Sequence, residues 1–389
     1  MRSAKRIEEI EVLRCLAVCM VFIYHAQNLF YAPGTFARFF RSYVNFSSGV
    51  DLFFVISGFV ITLDLMRSFD STTLRAQKYR LAFAFWIRRA FRIWPSTWLW
   101  LGLFLIVATC FNQFRAAGDP AHNINDAISA IGQFANFHWY ECYSGKIQCG
   151  NNSIFWSLSL EEQFYLGLPL LFIFFRKRLP GVIFAAVLLQ LFVPRPEWSL
   201  AWVFRTDALC LGVLLAFFYG SSRYLDLKDS GLLRFASSWI GKIALFLIIG
   251  TAGWHFFGLR TGLLACTCAV LVLLASYDSN LLIPNCRIKS TMIWIGGRSF
   301  AVYLVHYPVM CVVLEFANRY LPHDTVWSGA LNWPMVLFTA SATLLIADLN
   351  YRFVEIPGRR MGSRLSNYVQ SRSTLSVNSQ GSSGTGIIP

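Results

Sequence analysis

Charge is scarce in this chain. Only 14% of its 389 residues are Asp, Glu, Lys or Arg, against about 25% in an ordinary soluble domain. Hydrophobic residues make up 56%. A soluble globular protein of this composition would bury long helices without enough polar surface to cover them. Negative charge is scarcer still, with 20 acidic against 34 basic residues, and the formal net charge is +14. On a soluble protein that excess would point to nucleic acid. In so apolar a chain it points instead to cytoplasmic loops rich in Lys and Arg, so no nucleic-acid partner is expected. The ten cysteines include no CxxC pair, and Cys266 and Cys268 are too close for the usual zinc spacing, so no metal is expected. A cleavable signal peptide is also missing, because the first apolar run is too long and no small-residue cleavage site follows it. What remains is an all-α, polytopic membrane protein.

Its first apolar stretch, residues 10–31, is long enough to span a bilayer. It nevertheless carries Arg14 and His25. At about 100° and 1.5 Å per residue, the two side chains point nearly the same way, roughly 16 Å apart along the axis. An ionisable group inside a span is costly and reads as a functional site facing a cavity. Two on one face suggest a polar pathway through part of the membrane.

Hydropathy yields about ten spans, near residues 10–31, 49–66, 94–111, 155–175, 180–193, 201–219, 239–257, 263–277, 292–316 and 331–351. The seventh and eighth are joined by a very short turn. With the N-terminus in the cytoplasm, inside segments hold 23 Lys and Arg and outside segments 8. That bias supports an N-in, C-in orientation. The span domain covers 1–362. The polar segment 363–389, rich in Ser, Gly and Asn, is expected to be disordered. The longest extramembrane segment, 112–153, contains an aromatic stretch at 132–140 that reads as interfacial or re-entrant. Its Cys142 and Cys149 can form a disulfide if it faces an oxidising compartment.

This topology gathers His25, Asp51, Glu161, Glu162 and His306 toward the outer leaflet, and Arg88, Arg89 and Arg92 at the inner face. Each has a plainer reading. A membrane histidine can be a helix–helix hydrogen bond. Asp51 can cap its helix, and Ser159 with Glu162 fits a capping box. The arginines can be snorkelling anchors.

Taken in order, six motifs resemble the acyltransferase-3 family of membrane-bound O-acyltransferases. They are Arg14-x10-His25; DLFFVISGFVIT from Asp51; RRAFRIWPSTW from Arg88; FWSLSLEEQFYL from Phe155; AVYLVHYPV from Ala301; and RFVEIPGR from Arg352. The match runs from Ile7 to Met361. Glu11 and Val12 stand where many relatives have Asp-Gly. The resemblance implies a bacterial cytoplasmic-membrane enzyme of the type without a fused esterase-like domain. It would move an acyl group, usually acetyl, from cytoplasmic acyl-CoA to a hydroxyl of a lipopolysaccharide, exopolysaccharide or similar glycan. On that reading His25 is a general base or transient acyl carrier, and Asp51 or Glu161 orients its imidazole. His306 binds the acceptor or shares the proton, and Arg14 holds the donor or polarises the thioester. Arg88, Arg89 and Arg92 meet the phosphates of coenzyme A. The 112–153 loop is expected to select the acceptor. A transporter or flippase would also suit buried charge, but no inverted repeat is visible. A non-catalytic sensor would leave Arg14 and His25 without a task.

Overall fold

The computed structural model describes residues 7–29, 44, 46–70, 74–175, 177–250, 260–322 and 332–381. Among them there are helices and no β-strand. Helix α1 (Glu8–Leu29) is followed by a 3₁₀ turn, then α2 (Gly49–Asp70) and α3 (Arg75–Cys110). A helical hairpin, α4 (Pro120–Ile131) and α5 (Ala135–Tyr143), leads to α6 (Phe155–Phe175) and α7 (Leu179–Phe192). Next come α8 (Leu200–Val203), α9 (Asp207–Tyr219), α10 (Arg223–Lys228), α11 (Gly231–Ser237), α12 (Trp239–Gly250) and α13 (Arg260–Ser276). The chain closes with α14 (Arg287–Gly296), α15 (Ser299–Tyr320), α16 (Asn332–Asn350), a π-helical turn at Tyr351–Glu355, and α17 (Ile356–Gly381).

Among the described residues, six helical stretches are long and apolar enough to cross a membrane, and three shorter apolar helices join them. With α1, each of the ten segments expected from hydropathy overlaps helix among the described residues. The molecule is an all-α polytopic membrane protein. The turn expected between the seventh and eighth spans lies outside the described residues.

Three expectations need correction. The basic segment before the third span is helix, not loop. α3 has 36 residues and is therefore about 54 Å long, well beyond the roughly 30 Å hydrocarbon core. Its Arg, Lys, Ala, Leu and Gln are good helix formers, and Pro95 lies within it without ending it. The sixth span is two helices, since α8 stops at Val203 and α9 begins at Asp207, and so is the ninth, because α14 stops at Gly296 and α15 begins at Ser299. Glycines at 296 and 297 favour a stop there, since glycine is poor in helix interiors. Lastly, the polar C-terminal segment begins as helix. α17 continues to Gly381 and packs along α3, with Ser366 buried. The boundary expected at 362 therefore falls inside a helix. Residues 382–389 lie outside the described set.

Among the described residues the most extensive helix–helix contact is between α2 and α9. A Cβ on Gly58 would collide with the Leu209 carbonyl, and one on Gly212 with the Val55 carbonyl. Small residues let membrane helices approach this closely. The contact fixes the rotation of α2. Ser57, about 100° round from Gly58, lines an internal cavity together with Phe53.

Candidate active site

Three cavities succeed one another beside α1. The first is a mouth of about 470 Å³. Arg14 of α1, Arg67 of α2, Arg89 and Arg92 of α3, and Arg359 of α17 line it, with the carboxylates of Glu11 and Asp64. Positive groups exceed negative ones by three. The second is a neck of about 80 Å³ that shares Arg14, Arg89 and Arg92 with the mouth and adds Glu161 and Tyr165. The third is a chamber of about 350 Å³ containing His25. Val50 and Tyr303 line both neck and chamber.

Helix geometry explains the arginines. Arg89 and Arg92 are three apart on α3 and so share a face. Arg89 also lies against the rings of Phe85 and Tyr165, 5.3 and 5.6 Å from their centroids. Arg88 is rotated about 100° from Arg89 and pairs with Asp64 at 3.5 Å; it lines neither cavity. Arg14 donates to Glu11 at 2.8 Å. Arg359 pairs with the buried Glu355 one turn before it. Its place in the mouth was not foreseen, although it closes the Glu-x-Pro motif, and Arg67 had no motif to mark it.

The two histidines meet. His306 Nε2 lies 3.0 Å from His25 Nδ1. His306 Nδ1 lies 2.6 Å from the Tyr303 carbonyl, and His25 Nδ1 is 3.0 Å from the Val21 carbonyl. A carbonyl only accepts, so each Nδ1 carries the proton. His306 Nε2 is then an acceptor for His25 Nδ1–H. This assignment leaves His25 Nε2 as an unprotonated nitrogen with no hydrogen bond among the described residues. His25 is half-buried and lines the chamber, whereas His306 is 1% exposed and stands behind it. Tyr303 is held where neck and chamber share a wall. Its hydroxyl donates to the Ile154 carbonyl at 2.7 Å and accepts from Ser157 at 2.7 Å.

The expected carboxylate partners of His25 are elsewhere. Asp51 is buried and pairs with Arg205 at 3.5 Å, beside a second buried pair, Arg195 with Asp207 at 2.7 Å. Asp51 is close in sequence to the outer end of α2, but a full positive charge outcompetes a neutral imidazole for a buried carboxylate. Glu161 lies in the arginine neck, not in the histidine chamber. α6 starts at Phe155, so Glu161 sits about 9 Å along the helix axis. The same start removes the capping-box reading. Ser159 is inside α6 and accepts from the Ala135 backbone N–H at 3.2 Å. Arg195 and Arg205 were missed; Arg195 stands in a polar connection with no spacing pattern, whereas Arg205 lies inside the sixth expected span, where its charge was the signal that could have marked it.

Cys142 and Cys149 are joined in a disulfide. The buried Asp126 carboxylate faces His138 at 2.9 Å and accepts from the backbone N–H groups of Gly150 and Asn152 at 3.2 and 3.1 Å. That clamp sets Asn151 and Ser153 on the chamber wall.

A family model for an acyltransferase domain, acyltransferase 3, matches residues 7–352. The chain belongs to this acyltransferase-3 family. It is 28% identical over 390 residues to a peptidoglycan O-acetyltransferase of Listeria monocytogenes, covering 92% of this chain and 57% of that protein. A putative O-acetyltransferase of Staphylococcus aureus is 26% identical, with 94% and 59% covered. A putative peptidoglycan O-acetyltransferase of Bacillus subtilis is 28% identical, with 90% and 55% covered. The chain thus spans little more than half the length of these curated relatives. No solved structure matches it. Within the family-matched region lie every residue of the histidine pair and four of the five mouth arginines, Arg359 being just beyond it.

Proposed function

We propose that this acyltransferase-3 chain is an O-acetyltransferase of the bacterial cytoplasmic membrane. It takes the acetyl group of acetyl-CoA at the arginine mouth and passes it to a hydroxyl of a cell-envelope glycan in the His25 chamber. The observation that carries the reading is that the three cavities share walls in series, Arg14, Arg89 and Arg92 between mouth and neck and Val50 and Tyr303 between neck and chamber. An excess of positive charge stands at one end, and an imidazole with a free basic nitrogen stands at the other.

Even with Glu11 and Asp64 in its wall, the mouth holds an excess of three positive charges, which a polyanion would offset. Phosphates of coenzyme A suit them, because guanidinium binds phosphate with paired, charge-assisted hydrogen bonds. Arg14, Arg67, Arg89, Arg92 and Arg359 would hold the donor, and Arg88 would stay with Asp64. The thioester arm then enters the neck past Arg14 and Glu161 and reaches Tyr303.

In the chamber the sugar hydroxyl loses its proton to His25 Nε2 as its oxygen attacks the thioester carbonyl carbon. The C–O bond forms, the C–S bond breaks, and the departing thiolate takes the proton back from the imidazolium. The products are an acetyl ester and free coenzyme A thiol. His306 touches no substrate in this scheme. It positions His25 by accepting from Nδ1, which keeps Nε2 open and turned to the chamber. The names of the relatives, O-acetyltransferases of peptidoglycan among them, support acetyl as the group and an envelope glycan as the acceptor class.

The test supplies membranes containing the chain with acetyl-labelled acetyl-CoA and isolated cell-wall glycan. Label on carbohydrate, lost in His25→Ala protein that still folds, is the expected result. Movement of a glycan across the membrane without label on it would favour a transporter and overturn the proposal.

A further inference from the structure

Arg205 is the unsatisfied group in the wall of the His25 chamber. It is only 6% exposed, and its guanidinium carries five N–H donors. None of them makes a hydrogen bond among the described residues, and Nε is fully enclosed without a partner. The Asp51 carboxylate, 3.5 Å away, balances the charge as an ion pair without forming a hydrogen bond. The other close neighbours are aromatic. The guanidinium lies 4.2 and 4.9 Å from the ring centroids of Trp202 and Trp156, and Trp202 packs in turn against Trp198 at 4.5 Å. Buried polar groups are nearly always hydrogen-bonded, and a charged one left unmatched is costly. Arg195, which does not line the chamber, donates to Asp207 at 2.7 Å.

The backbone places this side chain deliberately. Arg205 sits in the three-residue break between α8 and α9, within a span that would otherwise be continuous. A charge at such a depth reads as functional. Charge then decides what it can receive. Asp51 already offsets Arg205. Glu197 also lines the chamber and makes no ion pair among the described residues. An acidic ligand would bring a second negative charge toward Glu197 in a poorly screened space. The group that suits Arg205 is therefore an oxygen that accepts hydrogen bonds without carrying charge, which is a carbonyl.

On a glycan, an uncharged carbonyl comes from the acetamido group of an N-acetylated sugar. We infer that Arg205 donates to the acetamido carbonyl oxygen of the acceptor and makes the chamber selective for N-acetylated saccharides. This rests on the reading that His25 serves a glycan acceptor, and it adds a residue that chooses among glycans. The selectivity follows from the unmet donors. A sugar with the carbonyl satisfies them, and an analogue without it leaves a buried polar group unpaired, the situation in which a site discriminates most strongly. The ion pair and the indole contacts hold the planar guanidinium in place before the sugar arrives, so little ordering is needed on binding.

Calorimetric titration of the full chain in detergent with two soluble β-linked tetrasaccharides, one of N-acetylglucosamine and one of glucose, tests it without any chemistry. The two differ by a hydroxyl in place of each acetamido group. The unmodified chain should bind the N-acetylated one about tenfold to a hundredfold more tightly, the range of a hydrogen bond from a charged group. Arg205→Met should remove that preference and leave binding of the glucose tetrasaccharide within about threefold. Because Arg205→Met strands the Asp51 carboxylate, the double change Asp51→Asn with Arg205→Met keeps the test open if the single variant does not fold. Equal binding of the two sugars by the unmodified chain, binding of neither, or a preference that survives in a folded variant overturns the inference. Loss of both sugars by the same factor overturns it as well, since Arg205 would then be only structural. Label transferred from acetyl-CoA to carbohydrate alongside any of those results would keep the transferase reading and sink the selectivity alone. An Arg205-dependent preference without any acetyl transfer would leave the inference standing and defeat the transferase reading.

Discussion

Consider His306→Ala. The substitution removes the acceptor 3.0 Å from His25 Nδ1 and leaves that N–H with the Val21 carbonyl alone. A single net hydrogen bond is worth about 0.5–1.5 kcal/mol, and each 1.36 kcal/mol is about a factor of ten in rate. The kcat should therefore fall about threefold to tenfold. His25→Ala removes the base itself, a loss of about 10²–10⁴. The double variant should be no slower than His25→Ala alone, because a residue acting only through another contributes nothing once that other is gone. His306→Gln keeps an oxygen acceptor and should recover part of the loss. The assay is thiol release from acetyl-CoA in the presence of glycan acceptor, with thermal unfolding in detergent to check each variant. A double variant whose defect is the product of the two single defects would refute the positioning role and give His306 a task of its own.

Three other outcomes follow from the same geometry. Arg92→Gln should raise the KM for acetyl-CoA by about tenfold or more, since a charged hydrogen bond contributes about 1.5–3 kcal/mol, while Arg88→Gln should change it by less than about twofold because exposed ion pairs contribute little. Steady-state kinetics at fixed acceptor separates the two, and equal effects would undo the cavity assignment. Gly58→Val places side-chain atoms against the Leu209 carbonyl and should abolish a folded, monodisperse preparation by size-exclusion chromatography; a stable variant would contradict the α2–α9 crossing. Reducing Cys142–Cys149 releases a loop closed over a sequence separation of 7, worth about 2–3 kcal/mol of local order in the chain-entropy model. Hydrogen exchange across residues 143–153 should then rise, and unchanged protection would show that the Asp126 clamp suffices.

Much of this arrangement was legible beforehand. Charge scarcity and hydropathy set the helical membrane class, and the eleven-residue spacing placed Arg14 and His25 on one side of α1. They now line successive cavities. The meeting of His25 with His306 is only partly a sequence property: both fall at matching depth, but contact across 281 positions depends on how α1 and α15 pack. Asp51 and Glu161 went astray for opposite reasons. Asp51 found Arg205, which lies inside the sixth expected span, and Glu161 was misplaced because, on a helix that begins where expected, it already stands about 9 Å along the axis, among the residues of the arginine neck. Arg88 and Arg89 look equivalent in the motif, yet a rotation of about 100° separates a surface pair from a cavity wall. Trp198, Trp202 and Arg205 form a cluster only after folding, since aromatics in a membrane chain read first as interfacial belts.

The central claim is that a donor bound at one face supplies a hydroxyl bound at the other. Sealed proteoliposomes with the chain in known orientation, acetyl-labelled acetyl-CoA on the arginine side and saccharide acceptor on the histidine side, test it most directly. The account predicts labelled saccharide in the acceptor compartment and unlabelled coenzyme A left on the donor side. Label that forms only when donor and acceptor share a compartment would contradict it.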